Sequence, residues 1–259
     1  MKVLILAGGL GTRISEETSD KPKPMVLLGD RPILWHIMDT FARQGFHDFV
    51  IAGGYKADVI KRYFVDMAEL GEDITVDLAN GRYEKLSQPI SKPWKVTILD
   101  TGLNTQTGGR IARVMRKFPR ESFIVTYGDG LANVDINELV SKHQTNGKHA
   151  TVTAVRPPAR FGVIKSEFGL VTNFGEKSQT DVGWVNGGFF VLNSEVVNYI
   201  DDDESVFELE PIQRLVSDGQ LSVNEHHGFW QPMDTLRERN LLSRFASELN
   251  PPWLIRDCD

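Results

Sequence analysis

The chain has 259 residues, 41% of them hydrophobic and 25% charged, with a net charge of −6. That length buries a sizeable core as one large domain, and the acidic balance excludes a general affinity for nucleic acid or an anionic membrane. The one cysteine, Cys258, excludes a disulfide framework and a cysteine-based zinc site, while no apolar run reaches signal or membrane-spanning length, so a cytoplasmic protein is expected.

Lys2–Ala7 (KVLILA) is a continuous apolar run closed by Gly8 and Gly9, and predicts a strand buried on both faces. Ile33, Leu34, Ile37, Met38 and Phe41 make a helical stripe, opened by Pro32 and ended by Gly45. Asp48–Gly54 predicts a second buried strand, Val59, Ile60, Tyr63, Phe64 and Met67 a second helix, and Ile74–Ala79 (ITVDLA) a third strand. This strand–helix–strand–helix–strand order implies a parallel sheet with helices on its faces. Residues 80–95 are polar, hold two prolines and show no period, so they read as an irregular excursion. Val96–Asp100 resumes as a strand, and Ile111, Val114, Met115 and Phe118 mark a helix ended by Pro119. Ser122–Gly130 is a strand running into a turn; a helix on Ile136, Leu139, Val140 and His143 and a strand at Ala150–Val155 follow.

After residue 156 the texture changes to short β pieces, FGVIKS, GLVTNF and GWVNGGFFVL, separated by Gly-rich turns. A helix over ELEPIQRLVSDG, a strand over LSVNEH and a helix at 235–248 complete the chain. The expectation is an α/β fold in one domain spanning 1–259, a mixed, mostly parallel sheet flanked by helices, with a small additional β part at about 156–195.

Three stretches carry the chemistry. In LAGGLGTR (Leu6–Arg13) the glycines lack Cβ, so their amides can approach a base, ribose or phosphate, and Arg13 can fork onto phosphate oxygens. The third glycine of a dinucleotide fingerprint is missing, and no P-loop pattern occurs in the chain. The bland alternative is a tight βα turn with a surface arginine. In KPKP, Pro22 and Pro24 hold the segment extended and present Lys21 and Lys23, which with Arg13 would make a cationic pocket for a polyphosphate; the alternative is a solvated loop. Asp129 in TYGDG stands at the C-terminal end of a buried strand, where open α/β sheets place ligands, and suits Mg²⁺. A second carboxylate, Asp234 in GFWQPMDT, either completes that metal site or caps the last helix together with Thr235.

Taken together, LAGGLGTR, KPKPM, YGDG, NGGFF and GFWQPMDT resemble the sugar-1-phosphate nucleotidylyltransferases over essentially the whole chain, with PILWHIM, VTILDTG, TGGR and PWKV also in place. The resemblance implies a Rossmann-like fold of the nucleotidyltransferase/glycosyltransferase-A type. It implies that Leu6, Ala7, Gly8, Gly9, Leu10, Gly11, Thr12 and Arg13 wrap the nucleotide, with Arg13 on the triphosphate. Lys23 would meet phosphate at the reacting centre, and Asp129 and Asp234 would hold Mg²⁺; Arg13, Lys23 and Asp129 form the implied catalytic set. Thr107, Gly108 and Arg110 of TGGR would lie near the nucleotide, Gly128 beside it and Tyr127 along the sugar. Glu176 and Lys177 of EKS, where many members have proline in place of Ser178, would bind the sugar phosphate with Asn186 and Gly187.

The implied substrates are CTP and glucose 1-phosphate, giving CDP-glucose for surface-polysaccharide sugars such as those of O-antigen. The nucleophile is already an anion, so positioning and charge neutralisation suffice without a general base. A uridylyl- or thymidylyltransferase would differ only in base readout. A non-catalytic nucleotide-binding module would be expected to lack one of Asp129, Asp234, Arg13 or Lys23, all present here, and an oxidoreductase lacks support without the third glycine. The resemblance also implies a homo-oligomer built from trimers, up to a hexamer, using the 80–95 excursion and the C-terminal tail, and no nucleic-acid or membrane partner. His226, His227 and His36 read as structural, the last off its helix's apolar face, and Asp201–Ser205 reads as a solvated loop.

Overall fold

The computed structural model describes residues 1–71, 73–86, 92–157, 162–167, 170–176 and 183–255. Its main sheet has seven strands: Lys2–Ala7 (β1), Asp48–Gly53 (β2), Lys95–Asp100 (β3), Phe123–Tyr127 (β4), Ala150–Val155 (β5), Val185–Leu192 (β6) and Leu221–His226 (β7). They lie in the order β7-β5-β6-β4-β1-β2-β3. β1 pairs parallel with β2 and β4, β2 with β3, and β5 with β7, whereas β6 is antiparallel to β4 and β5. The expected mixed, mostly parallel sheet is therefore found, with β6 alone reversed.

The period of two along β1 divides its side chains between two cores. Val3, Ile5 and Ala7 pack with Ile33–Ala42 (α1) and Ala57–Glu69 (α2), through residues such as Ile37, Phe41, Ile60 and Phe64. Leu4 and Leu6 pack on the other face with Thr107–Lys117 (α3) and Glu210–Ser217 (α5), through Ile111, Val114 and Leu215. Ile136–Asn146 (α4) and Leu236–Ala246 (α6) join the first core with Leu139 and Leu242. Each aliphatic side chain buried this way contributes about 1.5–3 kcal/mol. Two of the β pieces expected after residue 156, Gly162–Glu167 and Leu170–Glu176, form an antiparallel ribbon of their own; the third is not part of it but is β6, inside the main sheet.

One expected strand is misplaced. Ile74–Asp77 does not enter the parallel sheet; it forms an exposed antiparallel hairpin with Arg82–Lys85, inside the stretch expected to be irregular. Its residues alternate apolar and polar where β1 and β2 run continuously apolar, so it offers nothing to a sheet covered on both faces. The turn is closed locally: Gly81 N donates to Asp77 O at 2.9 Å, Ala79 N to Asp77 Oδ1 at 2.9 Å, and Gly81 takes φ +69°.

β1 has β2 on one side and β4 on the other, and the chain reaches these neighbours by connections that diverge. This is the switch point of an open sheet, where the C-terminal strand ends leave a crevice. Gly128 N donates to Leu6 O across that crevice at 2.9 Å.

Candidate active site

The glycine loop leaves β1 at the switch point. Gly11 takes φ +66°, which a side chain would resist. A Cβ on Gly8 would collide with the guanidinium of Arg110. That guanidinium, on buried Arg110, donates to Gly53 O (3.1 Å), Thr101 Oγ1 (2.6 Å), Gly102 O (2.8 Å), Gly8 O (3.1 Å) and Leu103 O (3.3 Å). It braces the loop against the ends of β2 and β3, and burial pulls its pKa below the ordinary arginine range. A cavity of about 270 Å³ opens here. Leu6, Ala7, Gly8, Gly9, Gly11 and Thr12 line one side, and Thr107, Arg110, Tyr127, Gly128, Asp129 and Lys23 the others. Leu10 is exposed and, like Gly108, is absent from that lining. Arg13 belongs to the short 3₁₀ turn Thr12–Ile14; the expectation for its side chain lies outside the described atoms.

Two segments distant in sequence bring the carboxylates together. Gly130–Ala132 pairs antiparallel with Trp230–Pro232, Gly130 opposite Pro232, and Met233 N donates to Asp129 O at 2.8 Å. Asp129 and Asp234 thus sit at the same end of one small ribbon. Lys23 reaches both: its Nζ donates to Asp129 Oδ2 at 2.6 Å and to Asp234 Oδ1 at 2.8 Å, with the lysine buried. The capping alternative for Asp234 is corrected. Thr235 is the N-cap of α6, in a capping box with Glu238, while the Asp234 carboxylate accepts from Lys23.

KPKP also departs from expectation. Pro22 is extended, but Lys23–Met25 is a 3₁₀ turn. This separates the two lysines: Lys23 turns inward, while Lys21 stands 4.0 Å from Glu17 and is not part of the cavity lining. Gly128 lets Pro24 close over the crevice, since a Cβ there would sit 2.8 Å from Pro24 Cγ.

A hydroxyl network covers the third side. Tyr127 Oη donates to Glu208 Oε1, and Thr107 Oγ1 donates to Glu208 Oε2 at 2.6 Å. Asn186 Nδ2 points at Tyr127 Oη at 3.4 Å, while Asn186 Oδ1 accepts from Gly188 N at 2.8 Å. Trp230 Nε1 donates to Gly187 O at 2.8 Å, tying the Asp234 ribbon to β6. Burial, reinforced by Glu208, pushes the Tyr127 phenol far above its ordinary pKa, so it stays protonated. Sequence reasoning missed Glu208, which belongs to no motif. It also misread Asp201–Ser205 as merely solvated. Asp203 O accepts from Gln106 N (2.8 Å) and Ser205 O from Gly108 N (2.9 Å), so this segment caps α3. Gly108 serves that contact, because a Cβ would lie 2.6 Å from Ser205 O.

Glu176 ends a described strand, but its side chain, with Lys177 and Ser178, lies outside the described residues, as does Cys258. His36 is buried on α1, contrary to the expectation that it avoids the apolar face, with Nε2 3.0 Å from Leu28 O. His226 Nε2 lies 3.2 Å from Phe229 O. No group of three or more metal-binding side chains occurs among the described residues.

The carboxylate pair fits a hard divalent cation. Two oxygens from different segments already converge on a single positive charge, the Lys23 ammonium, which stands in for one.

The nucleotidyl transferase family model matches residues 2–236. The glucose-1-phosphate cytidylyltransferases of Salmonella typhi and Salmonella typhimurium are each 47% identical over 254 residues, 98% of this chain and 98% of theirs. In fold, the chain matches the crystal structure of HddC from Yersinia pseudotuberculosis with a TM-score of 0.68 at 22% identity, over 94% of this chain and 98% of that one.

Proposed function

The chain belongs to the nucleotidyl transferase family, and we propose that within it the protein transfers a cytidylyl group from CTP to glucose 1-phosphate. The products are CDP-glucose and pyrophosphate. The observation that carries this reading is the meeting of Lys23, Asp129 and Asp234 beside the glycine-loop cavity. The relatives named glucose-1-phosphate cytidylyltransferase supply the base and the sugar.

The reaction is an in-line displacement. A phosphate oxygen of glucose 1-phosphate bonds to the α-phosphorus of CTP as the bond to the bridging oxygen of pyrophosphate breaks. The attacking oxygen is already anionic, so the residues act by position and charge. The amides of Leu6–Thr12 approach the nucleotide where the glycines leave room, braced from behind by Arg110. Arg13 and Lys23 supply positive charge to the phosphates, and Gly128 lies beside them. Tyr127, Asn186, Gly187, Glu176 and Lys177 take the sugar phosphate, with Thr107 on the nucleotide side.

Asp129 and Asp234 would hold Mg²⁺ through their carboxylates. Bound there, the cation would offset charge on the α-phosphate and the leaving pyrophosphate. Residues 1–259 act as one nucleotidyltransferase domain on this reading.

No described helix is long and apolar enough to cross a membrane, in keeping with a cytoplasmic enzyme. The exposed hairpin Ile74–Lys85, with Ile74, Val76, Leu78 and Tyr83 open to solvent, supports assembly into a trimer-based homo-oligomer, up to a hexamer. Light scattering of the wild type and of Val76→Glu tests that contact. For the function itself, turnover with CTP, UTP and dTTP is measured side by side with glucose 1-phosphate and magnesium. A clear preference for CTP is expected; a preference for UTP or dTTP would overturn the base assignment.

A further inference from the structure

Glu208 is an acid bonded to the cavity wall whose charge the proposed transfer does not use. It comes from the segment after β6 that caps α3, and its carboxylate is placed between two cavity-lining hydroxyls. A negative charge near a site for two polyanions works against binding unless it does something specific. Here each of its oxygens accepts one hydroxyl proton, from Tyr127 and from Thr107.

An ionised carboxylate can only accept. Both hydroxyl protons must therefore point at Glu208. Thr107 Oγ1 accepts from Phe207 N at 2.9 Å as it donates to Glu208, so its polarity is determined twice. Tyr127 Oη then presents lone pairs, not its proton, to Asn186 Nδ2. Asn186 is oriented in turn, because its Oδ1 is taken by Gly188 N. The chain of bonds runs from β6 through the end of β4 to the first turn of α3, which joins the sugar side of the cavity to its nucleotide side.

We propose that Glu208 is a positioning residue for the transfer: it holds the Tyr127 and Thr107 hydroxyls at one spacing, both as acceptors toward the substrates. A bound sugar hydroxyl or nucleotide donor meets a preset lone pair, and the two substrates are kept in register for in-line attack. This rests on the nucleotidyl-transfer reading for its two substrates, while the network itself stands without it.

The test combines Glu208→Ala and Glu208→Gln with Tyr127→Phe and Thr107→Val. For each variant kcat and KM are measured for both substrates, CTP binding is measured by calorimetry and folding by thermal melting. Glu208→Ala is expected to lower kcat/KM by roughly a hundredfold, the scale of a misplaced reacting group. Glu208→Gln, which keeps the shape and one acceptor, should lose less. In the Tyr127→Phe, Thr107→Val background the same alanine change should cost no more than about twofold, because its partners are gone. Losses that simply multiply across the backgrounds would overturn the proposal, as would a Glu208→Ala enzyme with wild-type kinetics. If Glu208→Ala does not fold, Glu208→Gln carries the same comparison. Wild-type protein that binds CTP in a Glu208-dependent way yet shows no cytidylyl transfer would sink the functional reading and leave Glu208 as a positioning residue for binding.

Discussion

Replacing Lys23 by methionine removes the charge that, among the described residues, reaches both Asp129 and Asp234, while keeping most of the side chain's buried length. In the wild type the ammonium lies 2.6 Å and 2.8 Å from the two carboxylates. Charges centred about 4 Å apart at an effective dielectric near 20 attract by about 4 kcal/mol per pair. Burial of the lysine takes back much of that gain. The carboxylate side chains are 32% and 20% exposed, so water screens what remains. The net loss expected without metal is about 2 kcal/mol, or roughly 5 °C in melting temperature for a chain of this size. Magnesium should reverse the order of sensitivity, because the variant's carboxylates no longer hold a competing ammonium. The assay is thermal melting of both proteins in chelator and in excess magnesium, with turnover measured in parallel. Magnesium should raise the variant's melting temperature more than the wild type's, while kcat falls by about a hundredfold through loss of charge at the phosphates. A variant as stable as wild type in chelator, or one that gains no more from magnesium, would refute the idea that both acids share one cation position.

Asp129→Ala should abolish magnesium-dependent turnover while circular dichroism stays native; unchanged turnover would reduce Asp129 to a turn residue. Gly108→Ala places a methyl group against Ser205 O, 2.6 Å away in the unrelaxed structure, and should cost about 2 kcal/mol in denaturant melts and raise KM for CTP as the 203–205 cap shifts. Burial lowers the pKa of His36, and of His226 likewise, so the unfolded chain takes up protons below about pH 6.5 that the folded chain refuses. Stability should therefore be complete above that pH and fall as pH drops from about 6.5 toward 5. His36→Gln, which retains a donor for Leu28 O, should flatten the melting-temperature profile over that window.

How much of this was legible in the sequence depended on how local each cause is. KVLILA was readable because a strand buried on both faces needs nothing but apolar side chains, and Val3, Leu4 and Ile5 are fully buried. ITVDLA has the same length but alternates, and it precedes Asn80-Gly81, a hairpin signal that outweighs membership of a parallel sheet. That Asp129 and Asp234 could share one site was legible from their residue types and the family resemblance; the ribbon that brings them together was not. It depends on two three-residue strands pairing, and such strands are too short to carry a period. Glu208 was invisible for a related reason. Its role exists only once three separate segments stand side by side, and nothing in SVFELEP distinguishes it from a surface acid.

The charge at the site has a consequence for the metal. Among the described side chains, Lys23 and Arg110 stand with Asp129, Asp234 and Glu208 at or beside the cavity, two cations against three acids. Lys23 is engaged by both acids, and the Arg110 guanidinium is committed to four backbone carbonyls and one hydroxyl. A triphosphate and a sugar phosphate entering such a cavity meet no surplus positive charge among the described side chains, and only Arg13 and Lys177 are read as adding any, in a protein whose net charge is −6. Long-range attraction therefore does not draw the substrates in. Countercharge has to arrive with them, and the position that can accept it is the one Lys23 fills in the free protein. On this reading the nucleotide and its divalent cation bind together, and the ammonium they displace is already within reach of the phosphates it then neutralises.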